Sequence, residues 1–125
     1  HAGDSRAYII KKDGMSQITK DHSVVQAMVE KGQLTQEEAQ KHPRKNLITR
    51  ALGVDEEIRV DFNEETMSDD DVLLICTDGL TNFVSKDEIL NIAKNGIYYE
   101  YADKLVELAN QNGGGDNITV VVIAY

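Results

Sequence analysis

The strongest constraint in the chain is the run Val72-Leu73-Leu74-Ile75-Cys76-Thr77, closed by Asp78-Gly79-Leu80. The apolar stretch is too short for a lone buried helix and rich in strand formers, so it predicts a central strand. The chain must turn where Asp78 leaves the sheet, because a carboxylate followed by glycine is turn chemistry. A carboxylate at the end of a buried strand is costly to ionise unless something pairs with it. No lysine or arginine lies within seven residues of Asp78 on either side, so a local ion pair is disfavoured. A hard cation is the other usual partner. An ordinary Asp-Gly turn explains the same residues, and this stretch alone leaves both readings open.

A second segment bears on the choice. Gly113-Gly114-Gly115-Asp116-Asn117 leads into Ile118-Thr119-Val120-Val121-Val122-Ile123, again fit for a central strand, with the aspartate now just before it. If the two strands are antiparallel neighbours, Asp78 and Asp116 face a common point at one sheet edge. The order Thr-Asp-Gly-Leu-Thr, then Gly-Gly-Asp-Asn-Ile-Thr-Val-Val, resembles the closing half of the PPM/PP2C family, the metal-dependent Ser/Thr protein phosphatases. Gly3-Asp4-Ser5-Arg6 matches another of its segments, which puts Asp4 just ahead of a strand as well.

Taken in order, Arg6–Ile10 and Met15–Thr19 read as a hairpin around Lys12-Asp13-Gly14. Asp21-His22-Ser23 offers caps for a helix on Val24, Val25, Met28 and Val29, stopped at Gly32. Thr35 and Glu38 form a capping box for a second short helix that ends before Pro43. His22 reads as a helix-start residue and His42 as an exposed one. Ile58 to Thr66 alternates through Ile58, Val60 and Phe62, as a half-buried strand does. Ser68-Asp69-Asp70-Asp71 reads as a solvated turn, since its spacing fits no EF-hand. Ser85 and Glu88 cap an amphipathic helix on Ile89, Leu90, Ile92 and Ala93, and a second helix carries Tyr101, Leu105, Val106, Leu108 and Ala109. Tyr98, Tyr99 and Tyr101 read as packing residues. The glycine triplet then lets the backbone bring Asp116 to the sheet edge.

Of 125 residues 41% are hydrophobic, enough for one compact domain or a large part of one. The net charge of −9 argues against nucleic acid as a partner. The lone cysteine, Cys76, reads as a small buried hydrophobe, and no membrane-spanning run occurs, so the expected location is the cytoplasm. The start at His1-Ala2-Gly3 reads as a mid-strand entry, so the chain is expected to be a fragment.

Oxygen ligands without a Cys/His cluster select Mg²⁺ or Mn²⁺. Two such ions about 3.5–4 Å apart suit phosphate ester hydrolysis without a nucleophilic side chain. The resemblance implies that Asp78 and Asp116 belong to a binuclear centre and that Asp4 with Asp78 matches the positions of a third ion. It implies that Asn117 orients Asp116, and that residues 23–45 match the mobile flap of bacterial members, where Arg44 and Lys45 are candidate substrate contacts. Residues 1–125 are then the C-terminal half of one such domain, part of a four-layer α-β-β-α sandwich of class α+β with mostly antiparallel sheets. The implied substrates are proteins phosphorylated on serine or threonine, a cognate kinase among them. The first-half aspartates and the phosphate-gripping arginine are missing, so the chain alone is expected to be inactive and to self-associate. Two other readings stand beside this one. A catalytically inactive interaction domain of the same fold shares every feature named so far. A receiver-like phosphoacceptor is disfavoured by the hairpins and by the lack of lysine after Lys104.

Overall fold

A computed structural model describes residues 1–125. The chain divides into two compact units, one of His1–Asp4 with Lys20–Asn63, the other of Ser5–Thr19 with Glu64–Tyr125.

The larger unit is built on a four-stranded antiparallel sheet. Its strands are β1 (Arg6–Lys11), β2 (Gly14–Gln17), β3 (Val72–Cys76) and β4 (Val120–Ala124), in the order β2-β1-β3-β4. The run that leads into Asp78 is therefore a central strand, as its composition predicts. β3 pairs Arg6 with Cys76 on one side and Cys76 with Val120 on the other. The residues after β3 and those before β4 thus emerge at the same sheet edge.

Because side chains alternate across a strand, Tyr8, Ile10, Val72, Leu74 and Cys76 share one face. That face packs on helices α3 (Asp78–Thr81), α4 (Lys86–Asn95) and α5 (Tyr101–Gln111), through Leu80, Val84, Ile89, Tyr101, Leu105 and Ala109. Leu74, Leu80, Ile89 and Leu105 are almost wholly excluded from solvent. At about 1.5–3 kcal/mol for each large aliphatic side chain buried, this layer is the main source of the unit's stability. The ends of α4 are fixed by polar pairs. Ser85 Oγ accepts from the Glu88 N–H at 3.2 Å while Glu88 Oε1 accepts from the Ser85 N–H at 3.1 Å, as the sequence motif predicts. The Tyr101 hydroxyl donates to the Ala93 carbonyl at 2.7 Å and ties α5 back to α4. Tyr101 is thus a packing residue, whereas Tyr98 and Tyr99 are 52% and 67% exposed and only pack edge-on against each other. They lie in a single 3-10 turn that projects no apolar stripe inward.

The opposite face of the sheet carries Ile75, Val121 and Ile123, each about two-fifths exposed or more. Only one side of the sheet has a helical layer within this unit. Asp71, read as part of a solvated turn, is 7% exposed. Its carboxylate accepts from the Ser68 N–H at 2.9 Å and lies 3.7 Å from Lys11 Nζ, so the turn is a closed loop anchored by a paired charge.

The smaller unit holds α1 (Val24–Glu30) and α2 (Gln36–Lys41). Ser23 caps α1 by accepting from the Gln26 N–H, and Thr35 with Glu38 forms the predicted capping box on α2. The expected strand over Ile58–Thr66 does not form. Its residues join no ladder, and Phe62 is 90% exposed. Alternation alone does not make a strand: the backbone pairing here is limited to one reciprocal exchange, Asp61 N–H to the His1 carbonyl and the His1 amino group to the Asp61 carbonyl, each at 2.9 Å.

The exposed part of this face, at Ile75, Val121 and Ile123, predicts that chain 1–125 associates with itself. Light scattering should give a mass above the 13.9 kDa monomer, and lysine at both Val121 and Ile123 should restore the monomer with helix content unchanged. A clean monomer of the parent chain would refute this.

Candidate metal-binding edge

The site begins with the exit of β3. Past the Cys76–Val120 pair, the Thr77 N–H donates to the Thr119 carbonyl at 3.1 Å, and the Thr119 N–H donates to Thr77 Oγ1 at 3.1 Å. The two chains therefore stay in contact for one more step than the ladder itself. Gly79 follows, and it has no room for a side chain. A Cβ built there would stand 2.0 Å from the Asn117 carbonyl oxygen. No real carbon atom can occupy that position without moving backbone.

This contact positions the carboxylates. Asp78 is the residue before Gly79, and Asp116 is the residue before Asn117. Each therefore flanks one member of a touching backbone pair. Asp78 is the first residue of α3 and is half-buried, while Asp116 is exposed. The Asn117 N–H donates to Asp116 Oδ1 at 2.7 Å and fixes that carboxylate's direction. This contact comes from the Asn117 backbone, whereas the sequence expectation concerned the Asn117 side chain. Neither aspartate has an ion pair with a lysine or arginine of the chain. Carboxylates that flank one backbone contact and have no cation of the chain as partner are oxygen-only donors, which suit a hard divalent ion such as Mg²⁺ or Mn²⁺.

The glycine triplet has a second role that the sequence alone did not reveal. A Cβ at Gly115 would stand 2.7 Å from Phe83 Cζ, and one at Gly113 3.3 Å from Cε1 of the same ring. Phe83 therefore packs on the loop just before Asp116. Gly113, at φ 138°, also needs the freedom only glycine has. The Asn112 side chain closes the loop by donating to the Phe83 carbonyl at 2.9 Å. An aromatic residue five positions after Asp78, with three glycines ahead of Asp116, is the pattern that could have signalled it.

The other sequence candidates lie in the smaller unit. Asp4 sits in the bend two residues ahead of β1 and is half-buried. Arg44 and Lys45 follow α2, where the Arg44 N–H donates to His42 Nδ1 at 3.0 Å and the Lys45 N–H to the His42 carbonyl. His42 is the half-buried residue that closes α2, not an exposed one.

His22 is more than the helix-start residue expected. It is 3% exposed and makes a two-sided clasp on Gly3: its N–H donates to the Gly3 carbonyl at 2.8 Å, and its Nδ1 accepts from the Gly3 N–H at 3.0 Å. With Nδ1 an acceptor, the ring hydrogen is on Nε2, which donates to Asp61 Oδ2 at 2.7 Å. The Arg50 guanidinium takes Asp61 Oδ1 at 3.0 Å. His1, His22 and Asp61 bring ligand-type atoms within 4.8 Å of one another. Both ring nitrogens of His22 are already engaged, however, so it offers no lone pair to a metal. The trio is a structural pin.

The family model described as Protein phosphatase 2C matches residues 1–118. The chain is 43% identical over 124 residues to the serine/threonine phosphatase stp of Listeria innocua, which spans 98% of this chain and 49% of that protein. Among solved structures it superposes on the serine/threonine phosphatase PstP/Ppp of Mycobacterium tuberculosis with a TM-score of 0.91 and 42% identity, over 98% of this chain and 52% of that one. It also superposes on the catalytic domain of the phosphatase PstP in complex with two manganese ions, with a TM-score of 0.80 and 41% identity, over 98% and 50% of the two chains. The chain thus spans about half the length of the relatives it matches. Those shares establish half of the relatives' length and do not establish the closing half expected from the motif order. The likeness to these structures does establish the expected α+β fold with its antiparallel sheet.

Two predictions follow from this geometry. Gly79→Ala forces the Asn117 backbone aside and should cost about 1–3 kcal/mol or more in denaturant unfolding of the full-length protein; parental stability would show that the contact is not tight. The second concerns Asp61, whose carboxyl is held below the usual carboxylate range by the hydrogen bond from His22 and then that from Arg50. Its contribution to stability is complete above the unfolded-chain value of about 3.9 and is lost as pH falls through the lower folded-state value. Asp61→Asn should therefore be less stable than the parent at neutral pH and converge with it in strong acid. Parallel stability curves from pH 2 to 7 would exclude this role.

Proposed function

Because this chain belongs to the protein phosphatase 2C family, we propose that it supplies part of the metal site of a phosphatase acting on phosphoserine and phosphothreonine in proteins. The single observation that supports this most is the pair Asp78 and Asp116, flanking the Gly79–Asn117 contact without any cation of the chain to neutralise them. In this reading both carboxylates hold divalent ions, Mn²⁺ or Mg²⁺. Asp4 carries a matching assignment to a third ion on the sequence resemblance alone. Bound there, the ions would supply Lewis acidity toward a phosphate ester and lower the pKa of water at neutral pH.

The chain's own residues do the rest by position. The Asn117 N–H holds the Asp116 carboxylate in one direction, so no rotamer has to be frozen when an ion arrives. The Thr77–Thr119 exchange and the Phe83 ring keep both loops in place. Further ligands and an arginine for the phosphate come from the other half of a family domain, so residues 1–125 alone are inactive. Substrates are phosphoproteins, including a cognate Ser/Thr kinase, met in the cytoplasm; no helix here is long and apolar enough to cross a membrane. The 23–45 segment acts as a flap, and its Arg44 and Lys45 meet acidic flanks of the substrate.

In the full-length protein, Asp78→Asn and Asp116→Asn should each keep the parental circular dichroism spectrum. Each should lower phosphopeptide hydrolysis about 100-fold or more, the scale of one lost charge-stabilising group in a preorganised site. Near-parental turnover at saturating Mn²⁺ in either variant would refute the assignment. In the same assay, glutamate at both Arg44 and Lys45 should raise KM for an acidic phosphopeptide and leave kcat unchanged; an unaltered KM would remove the flap from recognition.

A further inference from the structure

A cavity of about 430 Å³ opens at the end of the sheet away from Asp78, bounded by the last residues of β1, the first of β3, and α4. β3 begins there at Val72 and reaches the carboxylate edge only after Cys76. At about 3.3 Å per residue, the cavity lies at least 13 Å from that edge. Its floor is apolar, made by Ile10, Val72, Leu90 and the ring of Tyr101. That ring is fixed, since its hydroxyl is committed to the Ala93 carbonyl at 2.7 Å.

The rim is cationic. Lys11, Lys12 and Lys94 line it, with Asp70 as the one carboxylate among the lining residues. This gathering occurs in a chain of net charge −9. Lys11 is partly neutralised by Asp71 at 3.7 Å, whereas Lys12 and Lys94 have no ion pair with the chain. Lys94 also stands in the last turn of α4, where the helix dipole favours a cation. Its charge is therefore tolerated without a carboxylate and stays available to a ligand.

We propose that this cavity binds an acidic peptide segment of a partner protein, with one large apolar side chain on the floor and carboxylates on Lys12 and Lys94. The volume lies in the range of ligand pockets, which pair an apolar floor with a few placed polar groups. The charge of the rim selects an anionic partner. Asp70 distinguishes the kind of anion. A dianionic phosphate packed against the rim would meet its carboxylate, whereas a peptide presents backbone N–H groups that the same carboxylate accepts. This inference goes beyond the phosphatase reading and does not depend on it, because the peptide carries no phosphate.

The test is fluorescence anisotropy on the full-length protein with a labelled peptide of aspartates and glutamates flanking one phenylalanine. The parent should bind it, more weakly as salt rises. Lys12→Glu with Lys94→Glu should weaken binding tenfold or more, as should replacing the phenylalanine of the peptide by alanine. Both lysines are exposed, so the variant keeps its fold, and hydrolysis of a small aryl phosphate should not change. A control at the opposite end of α4 from Lys94, Lys86→Glu, should have little effect. The proposal is overturned if the parent does not bind, if the double reversal leaves affinity intact, or if the Lys86→Glu control weakens binding equally. Sedimentation with phosphatidylserine vesicles in the absence of peptide binding would overturn it in favour of a lipid surface.

Discussion

One close approach of two backbones governs the carboxylate edge. Gly79 lies so near the Asn117 carbonyl that even a methyl group is excluded. The hydrogen bonds between Thr77 and Thr119 hold the strands together up to that point. Because the approach is backbone on backbone, it depends on no side-chain rotamer, and little of its geometry is lost to thermal averaging. The aspartates on either side inherit that definition. Charge at this edge is thus placed by the least adjustable part of the chain.

The approach is possible because the sheet register delivers both segments to one edge, and the register is set by the buried face. Tyr8, Leu74 and Val122 stand in one cross-strand row, and Ile10, Val72 and Ala124 in another. A slip of one residue would turn Leu74 and Cys76 away from Leu80, Ile89 and Leu105 and expose them instead. Hydrophobic burial therefore chooses the register, and the register brings Asp78 towards Asp116. Core and site are linked by alternation along three strands.

Much of this was legible in the residues. The run at 72–77 and the run at 118–123 carried the central strands, and an aspartate beside each marked the edge. The capping boxes at Thr35–Glu38 and Ser85–Glu88 located two helix starts through chemistry that needs no tertiary context. Tertiary partners were what the sequence could not display. The alternation at Ile58, Val60 and Phe62 looked like a strand, but a strand needs a run of backbone partners, and this segment finds His1 alone, opposite Asp61. His22 looked like a residue before a helix cap, and only the fold brings Gly3 and Asp61 to its two ring nitrogens. Asp71 looked solvated because nothing local reveals Lys11, sixty residues earlier in the chain, beside it. Local chemistry was readable, and pairing over long sequence distance was not.

The seating of Phe83 on the glycine loop has a wider consequence. Glycine has no side chain to interlock, so the loop before Asp116 rests on a flat aromatic surface as a sheet of paper rests on a table. It resists lifting, because that would expose the ring. The Asn112 amide, bonded to the Phe83 carbonyl, tethers one end. A side chain at Gly113 or Gly115 would act as a wedge between loop and ring, and the residue it would carry away from the sheet edge is Asp116.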